Sequence, residues 1–208
     1  MPRRAKIRPD EPGREKILDA ARDLFGERGF DATSIAEIGA EAGISKSVLY
    51  HYFGSKAGLY RTLLEKDGRA LVEAVAAAVP AEGVVTPRLR PGVDAYLRFL
   101  SEHPASWRLM TRDPPADPEL RAVRTEVERA VAAALEELLS VPAKRTARPE
   151  LVALVALAIR TYGSWWQVHP EVVREQVVEA IGDVAAAAAT RVRPRPDRRA
   201  RSGRGGAS

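Results

Sequence analysis

The 208-residue chain contains no cysteine. Disulfides, thiolate metal sites and cysteine nucleophiles are therefore excluded, and the composition suits a reducing cytoplasm. Long apolar runs are also missing. The longest, Leu151 to Ile159 and Val184 to Ala189, fall far short of a bilayer span. The opening, MPRRAKIRPDEPGREK, has no apolar stretch of signal-peptide length, so a cytoplasmic protein without a membrane partner is expected. Aromatics make up only 6% of residues, and sustained period-2 alternation with β-branched residues is absent, which argues against a sheet architecture. Nor is there a His/Asp/Glu cluster at metal-ligand spacing, a glycine-rich phosphate loop or a spacing that suggests a Ser-His-Asp triad. An enzyme is not expected, and neither is a metal or a cofactor.

What is present is helical periodicity and an uneven charge. Hydrophobic residues make up 45% of the chain, enough for a sizeable core in one medium domain or a small domain joined to a larger one. The net charge is +5, but seven arginines and one aspartate in residues 191–208 contribute +6 of it. Arg3, Arg4, Lys6 and Arg8 contribute +4, which leaves about −5 for residues 9–190. The body is thus mildly acidic between two basic ends. Those ends read as solubilising tails or as extra nonspecific phosphate contacts, and a high isoelectric point is no argument for DNA binding here.

Pro and Gly clusters divide the chain into about nine helices. The first opens at Gly13-Arg14 and ends at Gly29, and a short second one follows Asp31 to Thr33 and ends near Gly43. A third covers about Ser45 to His51, and Ser55 caps a long fourth that ends before Pro80. The stretch Pro80 to Gly92 reads as a loop, with a helical start inside it as an alternative. Helices to His103, from Pro104 to Arg112, and from the Asp113–Pro118 break to about Ser140 come next. The last two span about Glu150 to Val168 and Glu171 to Arg191. The Arg-, Pro- and Gly-rich remainder, 192–208, reads as disordered.

The segment Thr33 to Phe53 has the logic of a helix-turn-helix. Thr33 or Ser34 can accept hydrogen bonds from the free N–H groups that begin the second helix. Ile35 and Ile38 share one face, and Gly39 is small where two helices cross. Gly43 supplies the positive φ of the turn, Ser45 caps the next helix, and Ile44, Val48 and Leu49 return apolar side chains to the core. The residues left for solvent are Ser45, Lys46, Ser47, Tyr50 and His51, all donors or acceptors and none acidic. Such a face suits the major groove of double-stranded DNA. Lys56, at the start of the fourth helix, suits a phosphate. His51 has no second ligand at i+3 or i+4, so a DNA-facing role is favoured over metal binding.

The residues Arg14 to Ala21, Leu24-Phe25, Gly29-Phe30, Thr33-Ser34, Ile35 to Ile38, Ala42 to Ser45, Leu49 to Phe53 and Lys56 resemble, in order and spacing, the tetracycline-repressor (TetR) family of bacterial regulators. The resemblance covers residues 14 to about 65. It implies an all-α homodimer with a three-helix DNA-binding domain over 10–56, after a basic arm at 1–9, and a helical effector-binding and dimerisation domain over 57–191. By this resemblance Thr33, Tyr50, Tyr52 and Lys56 contact phosphate, while Ser45, Lys46, Ser47 and His51 lie in or near the groove. Ser34 joins the DNA-binding set. Gly39 and Ser47 depart from the residues more usual in the family, alanine and glycine.

In the C-terminal region the helix from Glu150 is apolar all round for nine residues and must be covered on several sides. The last helix carries Val173, Val177, Ile181, Val184 and Ala188 on one stripe. With Leu151 and Val155 these form the expected dimer interface, a four-helix bundle between two subunits. Two aromatic groups are candidates for a ligand pocket: Tyr96, Phe99, His103, Trp107 and Met110, then Tyr162, Trp165 and Trp166. Such a pocket favours a small hydrophobic ligand. The combined expectation is a sequence-specific transcriptional regulator: a repressor released from a palindromic operator by such a ligand. An activator of the same fold, or a nonspecific architectural DNA binder, is the alternative.

Overall fold

The computed structural model describes residues 11–80, 85–112, 114–139, 157, 161–163, 165, 166, 168, 169 and 171–191. Among them are eight full helices and no strand: α1 (Glu11–Arg28), α2 (Ile35–Ala42), α3 (Lys46–Phe53), α4 (Lys56–Ala78), α5 (Val85–Glu102), α6 (Pro104–Thr111), α7 (Pro118–Leu139) and α8 (Arg174–Arg191). Residues 157, 161–163, 165 and 166 are also helical and fall within the helix expected over 150–168. None of the described helices is long and apolar enough to cross a membrane.

Helix α1 buries Ile17, Leu18, Ala21, Leu24 and Phe25, which recur at three- and four-residue spacing. It ends at Gly29, whose φ of 86° lies in the left-handed region, and it starts two residues earlier than the sequence suggested. Ser34 caps α2 in a reciprocal capping box: its Oγ accepts the Glu37 N–H while the Glu37 carboxylate accepts the Ser34 N–H. Gly43, at φ 66°, turns the chain into α3.

Two cores share helix α4. Its first turns place Leu59, Tyr60, Leu63 and Leu64 in a cluster with α1, Ile35, Ile38 and Leu49, and Leu109 and Leu120 of α6 and α7 join that cluster. Further along, Leu71 and Val75 join a second cluster with Val93, Tyr96, Leu97, Phe99, Leu100 and Trp107. Packing is therefore continuous past residue 56, and the helix that follows the helix-turn-helix belongs to both bodies. Inside this continuity Arg22 forks onto Asp67 through Nε and Nη2, at 2.9 and 3.1 Å, and ties α1 to α4. Burial lowers the Arg22 pKa, but the hydrogen bonds and charge of Asp67 and Asp19 outweigh it, and the net shift is upward.

Of the two readings of Pro80 to Gly92, the helical start is the one observed and the continuous loop is corrected: α5 begins at Val85 and carries Pro91 inside it. Pro87 falls in the first turn, where its missing N–H has no intrahelical partner to lose. Only the bond that Pro91 cannot donate is given up. Helix α8 packs on α5 through Val177 and Ile181, flanked by the ion pairs Arg174–Asp94 at 2.8 Å and Arg90–Asp183 at 3.0 Å. Gly182 lets the Arg90 side chain lie against the helix: a Cβ there would sit 2.9 Å from Arg90 Nε.

Candidate nucleic-acid interface

Helix α3 buries Leu49 in the first core, and its Val48 is half-buried. That leaves Ser45, Lys46, Ser47, Tyr50 and His51 exposed together, as the sequence suggested. Tyr50 is 52% exposed, and among the described residues of the first half of the chain it is the one exposed large hydrophobic side chain. No carboxylate occurs between Ser45 and Lys56. The face therefore offers hydroxyls, an ammonium, an imidazole and a phenol to whatever it meets.

The two short helices begin differently. Ser34 and Ser55 each cap a helix by accepting a backbone N–H, from Glu37 and Gly58. Ser45 occupies the equivalent place before α3 but makes no such bond, which corrects the expectation that its side chain caps this helix. Its Oγ instead lies 3.0 Å from the Ser47 Oγ, so both hydroxyls stand at the exposed entrance of the helix.

The far end of α3 is held by glycines. Gly54 adopts φ 70°, and its N–H donates to the Tyr50 carbonyl. A Cβ at Gly58 would lie 2.2 Å from the Phe53 carbonyl oxygen, so α4 can approach the end of α3 only without a side chain there. Gly39 plays the same part at the other contact: a Cβ would lie 2.7 Å from the Ile44 carbonyl and 3.3 Å from Leu49. The glycine that looked like a small departure in sequence is thus required by a backbone approach.

The flanking residues sort as follows. Ser34 is exposed but engaged in the capping box. Tyr52 is half-buried and packs against the reading-head core, with His51 and Phe53 rings beside it. Lys56 sets its ammonium 4.1 Å from the Phe30 ring centre. Burial lowers the Lys56 pKa, and Asp31 and Glu37 offset part of that. Thr33 is a correction. It is only 2% exposed, and its hydroxyl donates to the Gly29 and Leu24 carbonyls at 2.8 and 3.2 Å. It pins the turn between α1 and α2 from inside and does not present itself to DNA.

Sequence reasoning missed Arg14 as part of this surface. Its guanidinium carbon lies 5.4 Å from the centre of the Phe53 ring, which places the first turn of α1 beside the end of α3. No local signal links residues 39 apart, although arginine and phenylalanine both stood among the family-like residues.

The C-terminal candidates divide. Tyr96, Phe99 and Trp107 are buried in the second core, with Met110 half-buried at its edge. His103, Tyr162 and Trp165 are exposed, which corrects their assignment to a pocket lining. His103 lies against Phe99, while Trp165 stacks on His169 with ring centres 3.9 Å apart. Trp166 is half-buried and donates its indole N–H to the Val172 carbonyl. Of the expected dimer residues, Val173 and Val184 are exposed. Val177 and Ile181 are 1% and 4% exposed because α5 of the same chain covers them, so they are corrected to intrachain core. Leu151, Val155 and the side chain of Ala188 lie outside the described residues.

Known proteins carry the same arrangement. Residues 17–63 match the family model described as bacterial regulatory proteins, tetR family. The HTH-type transcriptional activator FasR of Mycolicibacterium smegmatis is 31% identical over 182 residues, covering 85% of this chain and 83% of FasR. The HTH-type transcriptional repressor BdcR of Escherichia coli is 44% identical over 59 residues, 28% of this chain and 30% of BdcR. A tetR-family transcriptional regulator from Streptomyces coelicolor superposes with a TM-score of 0.66 at 27% identity, covering 86% of this chain and 81% of that one. With its helix-turn-helix held between glycines and its similarity to FasR running through both bodies, the chain belongs to the tetR family of bacterial regulatory proteins and is a DNA-binding regulator of transcription, not an enzyme.

Proposed function

We propose that the chain works in the cytoplasm as a homodimeric repressor, gripping a palindromic operator with two α3 helices and releasing it when a small hydrophobic ligand binds. The observation that carries the dimer is the distribution of exposed apolar surface. Seven large hydrophobic residues are exposed among the described ones: Leu157, Tyr162, Trp165, Val168, Val173 and Val184 in the C-terminal region, and Tyr50 on α3. A concentration of exposed aliphatic and aromatic surface at one end of a protein favours burial against a like surface. A C2 pair joined there carries two reading heads, and a palindrome is the DNA counterpart of that symmetry.

In this reading Ser45, Lys46, Ser47, Tyr50 and His51 enter or border the major groove, with Ser34, Tyr52 and Lys56 at its phosphate edge. The ligand is taken up where Tyr96, Phe99, Trp107, Met110 and Trp166 gather around the second core. It lowers DNA affinity only by favouring a separation of the two heads that misses successive major grooves, which lie about 34–36 Å apart. The FasR match covers 85% of this chain, whereas the BdcR match covers 28% of it. That difference favours a second reading in which the same bound complex activates transcription.

Selection of bound duplexes from a random pool tests the reading. An inverted repeat with half-sites about one helical turn apart is expected, and a selected pool without a repeat would refute it. A promoter carrying the repeat then separates repression from activation. Titration with small apolar compounds, followed by tryptophan fluorescence, tests release.

A further inference from the structure

The reading head is attached to the effector body by more than α4. The segment just after α6 reaches across 85 residues of sequence to the corner between α1 and α2. Arg112 Nη1 donates to the carbonyls of Glu27 and Gly26, at 2.7 and 3.2 Å. Both belong to the last turn of α1, where carbonyls lack intrahelical partners and the helix dipole attracts a cation. The Arg112 side chain runs over Gly29, where a Cβ would lie 3.2 Å from its Nε. Four residues later, the Ala116 N–H donates to Asp31 Oδ2 at 2.9 Å, on the same corner.

The segment is itself anchored on the effector side. Arg124 of α7, buried, donates through Nη2 to the Met110 carbonyl in the last turn of α6 and pairs through Nε with Glu128 at 2.8 Å. Asp117 accepts the Glu119 and Leu120 N–H groups at the start of α7. Two guanidinium groups thus act in series. Arg124 holds the end of α6, and Arg112, which follows α6, holds the end of α1.

We infer that Arg112 and Asp31 are positioning residues, setting the angle of the reading head on the effector body and thereby the separation of the two recognition helices. This inference rests on the dimeric-operator reading above. Neither residue lies on α3, so a single head reads a single half-site without them. Two heads gain from being linked only when their separation fits the two half-sites. Loosening the latch therefore weakens the bivalent grip and spares the monovalent one.

The test uses the full-length chain with Arg112→Ala, Asp31→Ala and Arg112→Lys. Affinity is measured for a duplex carrying the selected inverted repeat and for one carrying a single half-site. The ratio of the two affinities is expected to fall about tenfold in each alanine variant. Arg112→Lys, which keeps a charged donor, is expected to restore most of it. A merely structural role would lower both affinities alike, and that result, or an unchanged ratio, would overturn the inference. Hydrogen exchange supplies a readout that needs no DNA: the Ala116 amide should exchange faster in Asp31→Ala, and the amides of 26–34 faster in Arg112→Ala. If the unaltered chain binds the repeat no better than the half-site, the dimeric-operator reading fails. Exchange at Ala116 and 26–34 then decides the latch alone, with unchanged rates overturning it.

Discussion

The two ends of the described chain face outward in opposite ways. Helix α3 shows hydroxyls, one ammonium, one imidazole and one phenol, with no carboxylate from Ser45 to Lys56. The region from Leu157 to Val184 shows aliphatic and aromatic side chains. The first surface is stable in water and needs a polyanion to become an interface. The second costs free energy while it stays exposed and is relieved by a like surface. Within one chain, surface chemistry distinguishes a face meant for a different molecule from a face suited to another copy.

That contrast is most sharply broken through the reading head's core. Leu49→Ala, at 1% exposure, is expected to cost about 3 kcal/mol and to abolish DNA retention, as read by denaturant unfolding and electrophoretic shift. The C-terminal surface is expected to tolerate insult differently. Val173→Asp combined with Val184→Asp should turn a dimer into a monomer at micromolar concentration by light scattering, while the helical circular dichroism stays intact. A dimeric mass in that variant would move the interface elsewhere.

Smaller effects sharpen the comparison. Helix propensity alone says that Gly39→Ala stabilises α2 by roughly 1 kcal/mol. The approach of the Ile44 carbonyl says the reverse, and a net loss of about 1–2 kcal/mol is expected, since the oxygen 2.7 Å away is backbone. Ser34→Ala removes the Oγ that accepts the Glu37 N–H and is expected to cost about 1 kcal/mol.

The same box has a pH signature. Hydrogen bonds from the Ser34 hydroxyl and backbone hold the Glu37 pKa below its ordinary value. A lowered folded-state pKa contributes stability above the unfolded pKa, and that contribution is lost as pH falls through the folded one. In Ser34→Ala the Glu37 carboxyl should titrate closer to an ordinary glutamate by NMR. The smallest effect is on DNA: Lys46→Ala should weaken binding about fivefold and flatten the salt dependence by about one counterion per head, leaving the fold untouched.

Legibility followed the range of the interaction. The turn at Gly43 and the acid-free face of α3 are set by neighbours within four residues and were readable from the chain, and the cap of α2 was narrowed to Thr33 or Ser34, of which Ser34 is the one observed. Ser45 was misread as a cap because the same residue type also suits an exposed hydroxyl at a helix entrance, here paired with Ser47. Thr33 was misplaced because its burial depends on the Leu24 and Gly29 carbonyls coming together behind it. Val177 and Ile181 formed a correct apolar stripe, but a stripe does not say which helix covers it, and α5 does. The start of α5 inside Pro80 to Gly92 stood only as the alternative to a loop because prolines are usually read as breakers, although one in the first turn costs no intrahelical bond.

By itself, the sequence determined that the described residues fold as helices without strands, that residues 33–53 form a helix-turn-helix, and which α3 side chains stand exposed, because helix periodicity and capping are local. Only the tertiary structure decided that α4 belongs to both cores and that Arg112 and Asp31 join the α6–α7 segment to the head. Those contacts link residues tens of positions apart, and their partners are chosen by shape and by unpaired carbonyls that exist only once the helices have packed.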